Sequence, residues 1–206
     1  MPRVTIVKGA RKDQGDCGKC GTKIKKGDSY HWWKFRYGGR HVRCLKPECA
    51  PKPSDLTQSE FYGTLYDIQD SVETALDEFR NGGDPGDLAS ALNDAAGQLR
   101  DLGEECQGKF DNMPEGLQQG DTGQLLENRA QECEGKADEL ESAASEIESI
   151  ELYDDPQKYL EENELKRNDG ESERDYGERI KHAMAEANEQ ARDEAASNAE
   201  VDLSIE

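Results

Sequence analysis

The chain has no long hydrophobic run. No uninterrupted apolar stretch reaches ten residues, whereas a helix that crosses a bilayer needs about 20. The sequence therefore predicts no membrane span. The first twelve residues carry charge but no apolar core and no small-residue cleavage site, so we predict no signal peptide and expect a cytoplasmic protein, in the host cytoplasm if the protein is viral.

Residues of the common catalytic constellations are also scarce. There are three histidines, His31, His41 and His182. The chain lacks a glycine-rich phosphate-binding loop and the His-Glu-x-x-His pattern of a catalytic zinc site. Acidic residues are so numerous after residue 53 that a pair of carboxylates does not indicate a catalytic site. We therefore predict that the protein is not an enzyme.

Apolar residues are too few for one large core. They make up 33% of the chain, and charged residues make up 35%. This composition favours several modest units in series over one large domain.

Positive and negative charges occupy different parts of the chain. Residues 1–53 contain 14 Lys and Arg against 4 Asp and Glu, and residues 54–206 contain 12 against 42. The first segment therefore carries about +10 and the second about −30, within a formal net charge of −20. Charge at this density selects binding partners by sign.

Four of the six cysteines lie in the basic segment, in a pattern typical of a structural zinc site. Cys17 and Cys20 are separated by two residues, so both can bind one ion, and the glycine after each permits the necessary turn. The other two ligands must come from His41, Cys44 and Cys49. We therefore predict Zn²⁺ as a structural cofactor.

A β-hairpin is predicted between the two halves of this site, because aromatic-rich runs flank Gly38-Gly39. A two-residue turn there places Cys44 on an apolar face and His41 on the opposite, basic face. The basic face comprises Trp32, Lys34, Arg36, His41 and Arg43. This register favours an all-cysteine site formed by Cys17, Cys20, Cys44 and Cys49. If the strand ends before His41, then His41 replaces Cys49.

Two resemblances follow from these residues. The pattern Cys17-x2-Cys20-x3-Ile24-x2-Gly27, followed by His41-x2-Cys44, is similar to the nick-sensing zinc finger of poly(ADP-ribose) polymerases. That resemblance implies DNA binding and a ligand role for His41. The run 32–39 with the following Arg43-Cys44 resembles small zinc-finger proteins of bacteriophages, which implies a viral origin. Both resemblances cover about residues 15–60.

The basic segment predicts a nucleic-acid surface. Cationic side chains bind phosphates without reading sequence, and an exposed aromatic ring can stack on an unpaired base. The candidate contact residues are Lys23, Lys25, Lys26, Trp32, Lys34, Arg36, Arg40 and Arg43. DNA is favoured over RNA.

Three apolar stripes with heptad-like spacing predict an antiparallel three-helix coiled-coil bundle. The stripes span residues 61–79, 88–110 and 126–147. Cys106 and Cys133 fall on two of them, which favours core packing. Such stripes can equally pair between chains, so a homo-oligomer remains open.

The predicted fold is therefore a small α+β module followed by an all-α region. The four parts are a basic zinc-binding module with a knuckle and a hairpin (1–50), a proline-rich linker (51–56), the three-helix bundle (57–151) and an acidic, partly helical or disordered tail (152–206).

This organisation favours a non-enzymatic zinc-finger protein that binds nucleic acid and uses acidic helices for partner contact or assembly. The alternative is a protein-interaction adaptor in which zinc is purely structural. Such an adaptor would be a viral regulator of a host protein or a virion assembly component.

Overall fold

The structure is a computed structural model, and it describes residues 1–163 and 165–205. The chain forms two compact units, Met1–Asp67 and Ile68–Glu206. The division falls inside the first long helix. The four-part division drawn from the sequence stays a prediction.

The first unit contains two small antiparallel sheets. Their strands are β1 (Thr5–Val7), β2 (Gly15–Asp16), β3 (Lys23–Ile24), β4 (Tyr30–Lys34) and β5 (Arg40–Cys44). Strand β2 pairs with β3, and the other three form a sheet in the order β1-β4-β5. Strand β1 is not among the predicted elements, although β-branched residues such as Thr5 and Val7 are typical of strands.

The hairpin of β4 and β5 has a different register from the predicted one. Trp33 lies opposite His41, whereas a two-residue Gly-Gly turn would set it opposite Cys44. Of the two glycines only Gly38 has a positive φ, 141°, and a five-residue loop, 35–39, joins the strands. The predicted two-residue turn is therefore wrong. Because the register differs by an odd number of residues, it changes which side chains share a face.

The rest of the described chain is mainly helical. The helices are α1 (Glu60–Arg80), α2 (Pro85–Asp111), α3 (Glu115–Gln118), α4 (Asp121–Glu148), α5 (Pro156–Asn163) and α6 (Glu173–Asn198). Helix α1 begins after Ser59, whose Oγ accepts a hydrogen bond from the Tyr62 amide. The side chain of Asp84 caps α2 by accepting from the Gly86 amide. Short segments that contain Gly82, Gly83, Pro114 and Gly120 separate α1, α2, α3 and α4.

Helices α2 and α4 pack as an antiparallel pair. Arg100 of α2 binds Asp138 and Glu141 of α4, while Gly103, nearly one turn further along α2, lies against Cys133, earlier in α4. The apolar stripes of both helices are buried, including Leu92, Leu99, Leu140 and Ile147. The place of α1 as the third helix of an antiparallel bundle stays a prediction.

The C-terminal residues contain two helices and a buried extended end. Ser172 caps α6 by accepting from the Asp175 amide, and Ile180 of α6 is buried. After α6, Leu203 and Ile205 are buried, and the Leu203 carbonyl accepts a hydrogen bond from the side chain of Gln69. Helix α6 is therefore partly covered, although the sequence predicts an acidic, partly helical or disordered tail here.

Candidate metal centre

Four cysteines from separate parts of the first unit lie together. The Sγ atoms of Cys17, Cys20, Cys44 and Cys49 all lie within 4.8 Å of one another. The Cys20 and Cys44 Sγ atoms are 3.7 Å apart. A tetrahedral zinc ion with Zn–S distances of about 2.3 Å requires sulfur atoms about 3.8 Å apart. The cluster can therefore bind a metal ion.

The first cysteine pair lies on the turn between β2 and β3. The Gly21 amide donates to the Cys17 carbonyl at 2.9 Å, and Gly21 has a φ of +68°, which favours glycine. The Gly18 amide donates to the Val42 carbonyl at 3.0 Å. The turn is thus hydrogen-bonded to β5, the strand that carries the third cysteine.

The second pair comes from the end of β5 and the residues after it. Cys44 is the last residue of β5, and Cys49 ends a 3-10 helix, Pro47–Cys49. The Cys49 amide donates to the Lys46 carbonyl at 2.9 Å. This tight turn directs Cys49 back to the cluster, where it is fully buried.

The thiols of the cluster differ in how easily they ionise. Burial opposes ionisation of Cys17, but hydrogen bonds from the backbone of Cys20, Cys44 and Lys19 outweigh it and lower its pKa to about 6. A hydrogen bond with Thr22 lowers the pKa of Cys20. Backbone amides directed at sulfur favour the thiolate, which is the form that binds metal.

The other two cysteines behave in the opposite way without a cation. Burial raises the pKa of Cys44, and burial together with the neighbouring thiols raises that of Cys49 to about 12. Three of the four cysteines are buried, and Cys20 is exposed. Four thiolates this close together repel one another, so the fully ionised set needs a cation at its centre.

His41 is not part of this cluster. It lies three residues before Cys44 on β5, on the opposite face of the strand. Its ring stacks on Trp33, with centroids 5.2 Å apart and an interplanar angle of 10°. Phe35 contacts it edge-on at 5.6 Å. The structure thus brings together the four thiols and places the alternative ligand elsewhere.

The prediction of which residues form the basic face of the hairpin is wrong. Trp32 lies opposite Val42, on the face that carries Cys44, and packs against the cysteine cluster. The guanidinium of Arg40 lies 4.7 Å from the centre of the Trp32 ring. The opposite face carries His31, Trp33, His41 and Arg43.

The predicted cationic contact residues fall into two groups. Arg40 hydrogen-bonds to Gln14 and to the Tyr30 hydroxyl, and Arg43 is half-buried in an ion pair with Asp55. These two guanidinium groups are occupied within the unit. The other five cations, Lys23, Lys25, Lys26, Lys34 and Arg36, are exposed, as is Arg40.

Comparisons with known proteins do not assign the chain to a family. No family model matches the chain, and no curated protein and no solved structure matches it. The resemblances to polymerase-type and phage-type zinc fingers therefore stay predictions.

In the described part of the chain, no helix combines the length and the apolar character that a bilayer span requires.

Proposed function

We propose that the protein is a zinc-binding protein whose first unit binds nucleic acid. Zn²⁺ would be held by Cys17, Cys20, Cys44 and Cys49. The observation that carries the proposal is the convergence of these four sulfur atoms within 4.8 Å in a unit that also carries the basic segment.

Zinc fits this donor set better than metals that prefer oxygen ligands, such as Mg²⁺ and Ca²⁺. Four thiolates from protein form a closed tetrahedral site with no open position for substrate, which is typical of structural zinc. A core as small as that around Ile24 and Tyr30 gains folding free energy from such a centre. Because thiols stay reduced in the cytoplasm, we place the protein there.

Nucleic acid is the partner that the charge favours. The exposed side chains of Lys23, Lys25, Lys26, Lys34 and Arg36 lie in a segment of about +10. Contacts of this kind bind the phosphate backbone and release counterions, so binding weakens as salt increases. We favour DNA, and we assign partner contact or assembly to the acidic helices.

The test replaces the two exposed cations of the hairpin. In the zinc-loaded full-length protein, Lys34→Ala with Arg36→Ala should weaken DNA binding and lower the salt slope by about 2. The matched control is Lys166→Ala with Lys181→Ala, which makes the same charge change at exposed positions of the second unit. Equal effects of the two pairs would contradict a specific basic surface.

A protein-interaction adaptor is the second candidate. The acidic region exposes two leucines, Leu117 in α3 (61% exposed) and Leu125 in α4 (38%), which suit a protein contact better than a phosphate backbone. If the full-length protein retains zinc but binds neither DNA nor RNA at low salt, the adaptor role is favoured.

A further inference from the structure

Two grooves on the first unit meet beside Phe35. One has a volume of about 400 Å³ and is lined by residues that include Trp33, His41 and Arg43. The other has a volume of about 470 Å³ and is lined by residues that include Lys34 and Arg36. Phe35 and Thr57 line both. We call these two grooves together the hairpin groove.

The hairpin groove combines aromatic rings with two exposed cations at one end. The Phe35 ring contacts His41 edge-on, and the His41 ring stacks on Trp33. Lys34 and Arg36 lie at one end of this aromatic series, and Arg43, in its ion pair with Asp55, lies at the other. Aromatic rings bind flat bases, and cations bind phosphates, so this alternation suits a single strand.

A buried donor in the wall of the groove lacks a partner. Trp33 is 2% exposed, and its Nε1 has no hydrogen-bond acceptor in the part of the chain that the structure describes. The indole N–H can only donate, and a buried donor without an acceptor costs about 1–3 kcal/mol.

We propose that the hairpin groove binds a segment of single-stranded nucleic acid, with an unpaired base stacked on the Phe35 ring, which His41 supports through its edge-to-face contact. This inference rests on the proposed function and names its ligand class. A duplex keeps its bases stacked inside and presents only phosphates, so it can use the exposed lysines but not the aromatic rings.

The test compares two ligands on the zinc-loaded full-length protein. Fluorescence anisotropy measures the affinity for a labelled oligothymidine and for a blunt duplex of the same length. Phe35→Ala should weaken oligothymidine binding about 5- to 100-fold and change duplex binding less than about twofold. His41→Ala, at an exposed position, should act in the same direction and serves as the second variant if Phe35→Ala does not fold.

Leu45 provides the control, because it is a large apolar residue of the same unit, is 43% exposed and lines neither groove. Leu45→Ala should leave both affinities within about twofold of the wild type. Equal loss of single-strand and duplex binding in Phe35→Ala and His41→Ala, or no loss in either, would overturn the inference but leave the proposed function standing. Failure of the wild type to bind either ligand would overturn both.

Discussion

At the scale of single residues, Cys49 is the best position at which to test the proposed metal site. Cys49 is fully buried and completes the four sulfur atoms. Cys49→Ser should therefore abolish stoichiometric zinc and destabilise the first unit, because a hydroxyl is a poor replacement for a buried thiolate ligand. Metal content by mass spectrometry and the near-UV signal of the tryptophans measure both effects.

Cys106 is the control for this substitution, since it is a buried cysteine of α2 outside the cluster. Cys106→Ala should keep the zinc content of the wild type. A Cys49→Ser protein that retains a full equivalent of zinc would refute the assignment of the fourth ligand.

A bidentate ion pair near the start of α6 predicts a pH effect. Arg179 donates to both carboxylate oxygens of Glu171 at 2.9 Å. These bonds, with the Asn168 amide, lower the pKa of Glu171 to about 2. An acid with a depressed pKa stabilises the fold above its usual pKa of about 4.3, and this stability is lost as the pH falls toward 2.

Glu171→Gln should therefore lower the melting temperature at pH 7 and make it depend less on pH between about 5 and 2. Glu189→Gln, at an exposed position of α6, is the control. An identical pH profile for Glu171→Gln and the wild type would show that the ion pair does not contribute.

At the scale of elements, two glycines of α2 have opposite expected effects. A Cβ at Gly103 would lie 3.1 Å from the Cys133 Cβ and 3.2 Å from the Ala130 carbonyl oxygen, whereas a Cβ at Gly97 would meet nothing within 4 Å. Gly97→Ala should stabilise the protein by about 0.5–1 kcal/mol, because alanine favours the helix. Gly103→Ala should destabilise it by about 1–3 kcal/mol through overpacking against α4.

Urea unfolding of the two variants measures this difference. A gain of stability in both variants would show that α2 and α4 can move apart to admit the new Cβ without losing folding free energy. Glycine usually weakens a helix, but at Gly103 the missing side chain permits close packing of α2 and α4.

Long periodic elements could be predicted from the sequence, and the short hairpin could not. The stripes of α2 and α4 repeat over seven turns of helix, so one misassigned residue does not change the face. In α1 the alternating spacing of four and three residues from Phe61 places Ala75 on the apolar stripe. The structure instead buries Leu76 and leaves Ala75 half-buried, but the helix still forms over this range. Periodicity is thus a strong signal over such lengths.

The predicted register of the hairpin rested on the Gly38-Gly39 turn alone, and the prediction of that turn was wrong. Contacts distant in sequence fix it instead: β1 pairs with β4, and Trp33 stacks on His41. Local sequence does not contain these contacts. The grouping of the four cysteines could still be predicted, because metal-ligand spacing constrains residues directly.

At the scale of the whole molecule, we expect the negative charge of the acidic region to oppose the proposed nucleic-acid binding. Residues 54–206 carry about −30, which repels a polyanion over a Debye length of about 10 Å at 0.1 M salt. Replacing Glu186 and Glu189 with Gln, and Asp193 with Asn, should raise DNA affinity severalfold at low salt. The gain should disappear at high salt, where the charges are screened.

The control exchanges the same two glutamates for aspartate and Asp193 for glutamate, which preserves the charge. Titrations at several salt concentrations separate repulsion from a change in fold. An affinity gain that persists unchanged at high salt would refute the electrostatic explanation.

The zinc content of the purified full-length protein tests the central claim most directly. We predict one zinc ion per chain, lost on chelation together with the tertiary signal of Trp32 and Trp33, which lie on β4 between the two halves of the site. A protein that contains no zinc when purified in its presence, or whose N-terminal unit stays folded after complete chelation, would contradict the account.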